Sequence, residues 1–241
     1  MKIFGKLIRD IKKNEFAIMI GMATIVGLLA GYGAVGFRWL IHFFDALFFG
    51  VGSDNSLAML LDLPWYKKLL PPIIGGILVG PIIYLFAREA KGHGVPEVME
   101  AVALKGGIIR KRIVLIKSLA SAISIGSGGS VGREGPIVQI GSAIGSVFGQ
   151  LMKVSADRMR TLVGCGAAAG IAATFNAPIA GVMFALEIIL GEFGIATFSP
   201  IVVSSVIATA VSRAYLGNYP AFLVPHYSLV SYWETPLYIL L

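Results

Sequence analysis

The chain has 241 residues, 56% of them apolar, and only 14% are Asp, Glu, Lys or Arg, against roughly 25% charged residues in an ordinary soluble domain. Glycine supplies 30 residues, the mean hydropathy is +0.83 and the net charge is +7. This composition excludes a disordered tail, a nucleic-acid-binding domain and a disulfide scaffold, since the single Cys165 cannot close an intrachain bridge.

Residues 1–13 place Ile3, Phe4, Leu7, Ile8 and Ile11 at helical spacing, with Lys2, Lys6, Arg9, Lys12 and Lys13 on the other face. The pattern predicts an amphipathic basic helix on an anionic membrane surface, followed by a multi-pass body over 14–241. A first apolar stretch covers 16–37 and continues past Arg38 to 49. It is far longer than the roughly 7–15 apolar residues of a signal-peptide core. The segment 50–64 holds Asp54 and Asp62 but no Lys or Arg. A second stretch, 69–87, ends at a pair of cations, Arg88 and Lys91. Counting cations places the N-terminus in the cytoplasm and 50–64 outside, as in a multi-pass protein of the plasma membrane.

Between Lys91 and the next basic cluster (Lys105, Arg110, Lys111, Arg112) there is no room for two crossings. The segment 92–104 is therefore predicted to be a short re-entrant helix, which a bilayer tolerates only where protein or a water-filled cavity covers the backbone. Further stretches of roughly spanning length occupy 113–132, interrupted only by Lys117, then 135–152, 161–186 and 193–212, with Lys153, Arg158 and Arg160 forming another cytoplasmic cluster. Glycines recur every fourth residue at Gly27/Gly31, Gly76/Gly80, Gly141/Gly145/Gly149 and Gly166/Gly170, a spacing that lets helix backbones approach closely.

Apolar sequence is punctuated four times, at Gly92-His93-Gly94-Val95-Pro96-Glu97, Gly132-Arg133-Glu134-Gly135-Pro136, Phe175-Asn176-Ala177-Pro178 and Phe198-Ser199-Pro200. Pro is favoured at the first helical position, so each is predicted to start a helix within the membrane. Such a start presents unpaired N–H groups and the positive end of the dipole, which attract an anion without a full charge that would hold it too tightly. Glu134 is an ionisable group in membrane sequence, bracketed by Gly132 and Gly135. A carboxylate there occupies the place an anion would take, and protonation would release it. The alternatives are kinks in continuous helices for the prolines and a plain Arg133–Glu134 ion pair at the membrane edge.

These motifs resemble those of the CLC family of chloride channels and proton-coupled chloride transporters. GREGP at 132–136 matches the family motif as it stands, the run GAAAGIAATFNAPIAGVMFALE over 166–187 is typical of it, and GHGVPE at 92–97 is similar to its GSGIP-E motif with one change. The resemblance implies an all-α bundle of tilted, broken and re-entrant helices, the first of two inverted halves, in a homodimer with one pore per subunit. It implies that Glu134 is the external gate. Backbone amides at Arg133, Glu134 and Gly135 would bind the outer anion, and Gly92, His93, Gly94 and Val95 would line the inner positions. Glu187 would lie on a proton path. Chloride or a similar small anion, protons and the lipid bilayer are the implied partners, with no cofactor, no metal and no nucleic acid. His93 stands where chloride-selective members carry Ser, which leaves a fluoride- or nitrate-preferring relative open. Ile188 stands where many exchangers carry a second glutamate, so channel and antiporter both stand. The family's second-half motif is absent, and the chain reads as an N-terminal half.

Two other readings carry less. An intramembrane serine hydrolase would need Ser127 or Ser130 activated by His93. A nucleotide site on the same Gly-rich run fails the phosphate-loop pattern, because Ser127 sits where its first Gly is needed and no Lys-Ser/Thr follows Gly132.

Overall fold

The computed structural model describes residues 2–50, 63–86, 92, 94–218, 232–234, 236 and 238, and of residues 2–14 and 232 the backbone alone. Among the described residues eight helices carry the fold: α1 (Lys2–Phe49), α2 (Trp65–Phe86), α3 (Val95–Leu104), α4 (Arg112–Gly126), α5 (Glu134–Met152), α6 (Ala156–Phe175), α7 (Pro178–Phe184, continued by a π-helical turn Ala185–Leu190) and α8 (Ile195–Leu216). No strand occurs among the described residues. Three helices among the described residues are long and apolar enough to cross a membrane: α1 over Glu15–Phe49, α2 and α8.

The basic N-terminal segment runs into the first span without a backbone break, since α1 is one helix of 48 residues. The apolar stretch 161–186 divides at Asn176, which takes the left-handed conformation (φ 56°) and ends α6. The stretch 113–132 is helical only to Gly126. α3 has 10 residues, about 15 Å at 1.5 Å per residue, too short for a bilayer core of about 30 Å. Its return loop is pinned by α5. Ser146 Oγ donates to Gly107 O at 2.7 Å and accepts from Ile109 N at 2.8 Å, while Gln150 Nε2 donates to Ile109 O at 2.8 Å.

The Phe198-Ser199-Pro200 start is corrected by the structure. α8 begins five residues earlier, after Gly194, and Pro200 lies inside it. Thr197 Oγ1 folds back onto the true start, donating to Gly194 O at 2.8 Å, the carbonyl that also accepts the Thr197 and Phe198 N–H groups. A Pro in the second turn forgoes only one intrahelical bond, which the burial of Pro200 against the core offsets.

α6 is the central helix, with α1, α5, α7 and α8 packed on it. It is nearly all buried from Thr161 to Ala173 because its residues are small. The α5–α6 seam is glycine on backbone. A Cβ at Gly141 would run into Gly166 O, one at Gly166 into Gly141 O, and one at Gly170 would stand 2.7 Å from Ile137 O. α1 meets α8 in the same way, with Gly27 against Ser204 and Gly31 against Ala208. Buried hydroxyls tie α8 to α6: Ser204 Oγ donates to Cys165 O at 3.0 Å and Ser212 Oγ to Ala173 O at 2.6 Å. In apolar surroundings such bonds satisfy groups that lipid could not.

Candidate functional site

The start of α3 depends on two glycines in the left-handed region, Gly92 (φ 115°) and Gly94 (φ 97°). Only glycine adopts these angles without strain, so the chain turns sharply into Pro96, the second helical residue. Glu97 reaches back and its Oε2 accepts the Gly94 N–H at 2.8 Å. α3 thus supplies a carboxylate to its own first turn. Lys117, only 4% exposed on α4, donates from Nζ to Gly92 O at 2.8 Å and lies within electrostatic reach of Glu97. A cation among apolar residues is therefore compensated on both sides.

The start of α5 is the neighbouring element. Arg133 is its N-cap, Glu134 and Gly135 follow, and Pro136 takes the third position, where its missing N–H costs nothing. The Glu134 carboxylate folds back over Gly132, where a side chain would collide with it. Arg133 turns the other way. Its Cζ sits 5.4 Å from the centroid of the Phe175 ring, and it forms no ion pair with Glu134. The plain ion-pair reading of these two residues therefore fails on geometry.

The two starts touch. A Cβ at Gly94 would stand 2.6 Å from Gly135 O. Beside this contact is a cavity of about 520 Å³, lined by Gly92 and Val95, by Lys117, Ser121 and Ser124 of α4, by Ser130 and Gly132 of the loop, and by Glu134, Gly135 and Pro136. Val79 and Ile83 of α2 supply an apolar wall. One cavity thus joins two helix N-termini, a buried cation, three hydroxyls and one carboxylate. That donor set suits a small anion in competition with Glu134.

Not all the expected residues converge. Asn176, before α7, bonds elsewhere: it accepts from Arg213 Nε at 2.6 Å and its Nδ2 donates to Asn218 Oδ1 at 3.1 Å. Neither Asn176 nor Pro178 lines this cavity, and the α8 start lies apart, with Ile195 92% exposed. Glu187 lies exposed on the π-helical turn and does not line the cavity either. His93, Arg88, Lys91, Asp54 and Asp62 lie outside the described residues. Ser127, the hydrolase candidate, is buried and donates to Ser124 O at 3.1 Å in a helix-ending turn.

Two buried polar residues, one lining the site and one beside it, were not singled out from the sequence. Lys117 stood out only as an interruption, although a lone cation in a span is itself a signal of function. Gln139, buried on α5, approaches Gly94 and leaves its Oε1 without a partner; one polar residue on a small-residue helix carried no distinguishing signal.

The chain matches the voltage gated chloride channel family over residues 75–241. It is 36% identical over 226 residues to a putative chloride channel protein ClcB-like of Ralstonia nicotianae, covering 92% of this chain and 52% of that one. It is 32% identical over 253 residues to the chloride channel protein CLC-f of Arabidopsis thaliana, covering 98% and 31%. Among solved structures it is similar to a slow cyanobacterial Cl-/H+ antiporter, with TM-score 0.74, 25% identity and 92% and 52% coverage. It is similar to a CLC-type fluoride/proton antiporter with TM-score 0.73, 25% identity and 94% and 53% coverage. The chain thus spans about half the length, or less, of the relatives it matches.

Proposed function

Because the chain belongs to the voltage gated chloride channel family, whose members are channels and transporters rather than enzymes, we propose that it contributes one half of a membrane pathway for chloride. The observation that carries this reading is the contact of Gly94 with Gly135, which sets two helix starts and the Glu134 carboxylate on one cavity.

In this reading the first-turn N–H groups of α3 and α5 hold a partly dehydrated anion by partial charges, so that it binds and also leaves. Gly92, His93, Gly94 and Val95 form one side of its path, and the backbone at Arg133 and Gly135 forms the other. The ionised Glu134 carboxylate occupies the outer position as a tethered anion. Protonation removes its charge and opens the position, so anion passage and proton occupancy are linked. Glu187 serves a proton path from the other side. Residues 1–13 extend the first span on the cytoplasmic side of the plasma membrane and 14–241 form the first of two inverted halves, working as a homodimer. The likeness to a fluoride/proton antiporter matches that to a chloride/proton antiporter, which supports fluoride as the second candidate anion.

The test is Glu134→Gln in the full-length protein, reconstituted in liposomes with chloride and pH recorded together. The amide mimics the protonated gate, so flux should lose its pH response and any proton movement should cease. A pH response unchanged from wild type would overturn the gate. Uphill proton movement driven by a chloride gradient in the wild type identifies an antiporter; its absence identifies a channel.

A further inference from the structure

Arg133 turns away from Glu134 toward a second, separate cavity of about 160 Å³. Its polar lining comes from three elements: Arg38 and His42, one turn apart near the Phe49 end of α1, Arg133 before α5, and Thr174 near the end of α6. Arg38 Nε donates to His42 Nε2 at 3.4 Å, which steers the guanidinium along the helix. Arg38 and Arg133 are close enough to repel one another, and the Glu134 carboxylate, outside this cavity, is within electrostatic reach of Arg133 and offsets part of that repulsion. Among the described residues no carboxylate lines the cavity; Asp45, the acid near His42, stands outside it. The rest of the wall is apolar, with Phe37 the largest side chain.

Two guanidiniums held at a shared cavity without a lining carboxylate lower their mutual repulsion when an anion sits between them. A volume of about 160 Å³ takes one small anion with a few waters of about 30 Å³ each. The apolar wall disfavours strongly hydrated divalent anions. We propose that this cavity is an anion-binding site, separate from the one at Gly94 and Gly135, that takes one small monovalent anion such as a halide or nitrate between Arg38 and Arg133. The site stands whether or not Glu134 is a gate.

The test is anomalous scattering from crystals of the full-length protein soaked in bromide. The wild type should show a bromide peak between the two guanidiniums. Arg38→Gln should lose that peak at the same bromide concentration, Arg38→Lys should keep it, and any peak beside Gly94 should persist in both variants. Absence of the peak in the wild type overturns the proposal without recourse to a variant, and so does an undiminished peak in Arg38→Gln. A peak at Arg38 with none beside Gly94 would count against the chloride pathway and leave this site standing.

Discussion

Gly94 rests against the carbonyl oxygen of Gly135, which leaves no room for a methyl group between the first turns of α3 and α5. Gly94→Ala combines that clash with a left-handed φ of 97°. Strain of this kind costs about 1–3 kcal/mol and overpacking a similar amount. The thermal midpoint of the full-length protein should fall by many degrees, or folded protein should not be recovered. A midpoint equal to that of the wild type would show that the two starts do not touch.

The starts of α3, α5 and α7 were legible because each needs particular residues: Gly92 and Gly94 and Asn176 for their left-handed backbone, Gly132 for the room it leaves the Glu134 carboxylate, and Pro96, Pro136 and Pro178 in the first turns. The α8 start was misplaced because Pro is tolerated throughout the first turns, so Pro200 marked the neighbourhood of a start and not its position. The real signal was Gly194 followed by Thr197, a weaker pair. The convergence of starts was legible only in part, since helix direction depends on packing partners far apart in sequence. The glycine spacing foretold close seams, but not that Gly141 would meet Gly166 while Gly76 and Gly80 would meet nothing within 4 Å among the described residues.

That contrast is testable. Gly141→Ala and Gly166→Ala each drive a Cβ into a facing carbonyl, so α5 and α6 must separate. Each should destabilise the protein by about 3 kcal/mol. Gly76→Ala and Gly80→Ala meet open space and replace a poor helix former, and their effect should be neutral to stabilising by up to about 1 kcal/mol. Equal thermal shifts in the two pairs would contradict the α5–α6 seam.

Lys117 and Glu97 form a second testable couple. Lys117→Met removes the donor to Gly92 O and the cation near the half-buried Glu97. Full burial would make such a loss worth about 3–5 kcal/mol, and partial exposure of Glu97 reduces it to about 2 kcal/mol. Adding Glu97→Gln removes the orphaned charge, so the double variant should unfold closer to Lys117→Met than the sum of the single effects, with a coupling of about 1 kcal/mol. Strict additivity in thermal unfolding of the purified full-length protein would show that the two charges do not act together.

Asn176 separates backbone from side-chain effects at the α6–α7 break. Its φ of 56° suits Asn or Gly and strains other residues. Its side chain also joins Arg213 and Asn218, one end of α8 and the loop after it. Asn176→Gly keeps the turn and loses the side-chain bonds, those to Arg213 and Asn218 being exposed, so the cost should stay within about 1 kcal/mol. Asn176→Ala loses the bonds and adds the left-handed penalty of about 1–2 kcal/mol. The ordering wild type, Gly, Ala in thermal midpoint is the expected result. If Gly and Ala lose equally, the side-chain bonds hold this corner and the backbone angle is incidental; if Gly matches wild type, the angle alone sets the break.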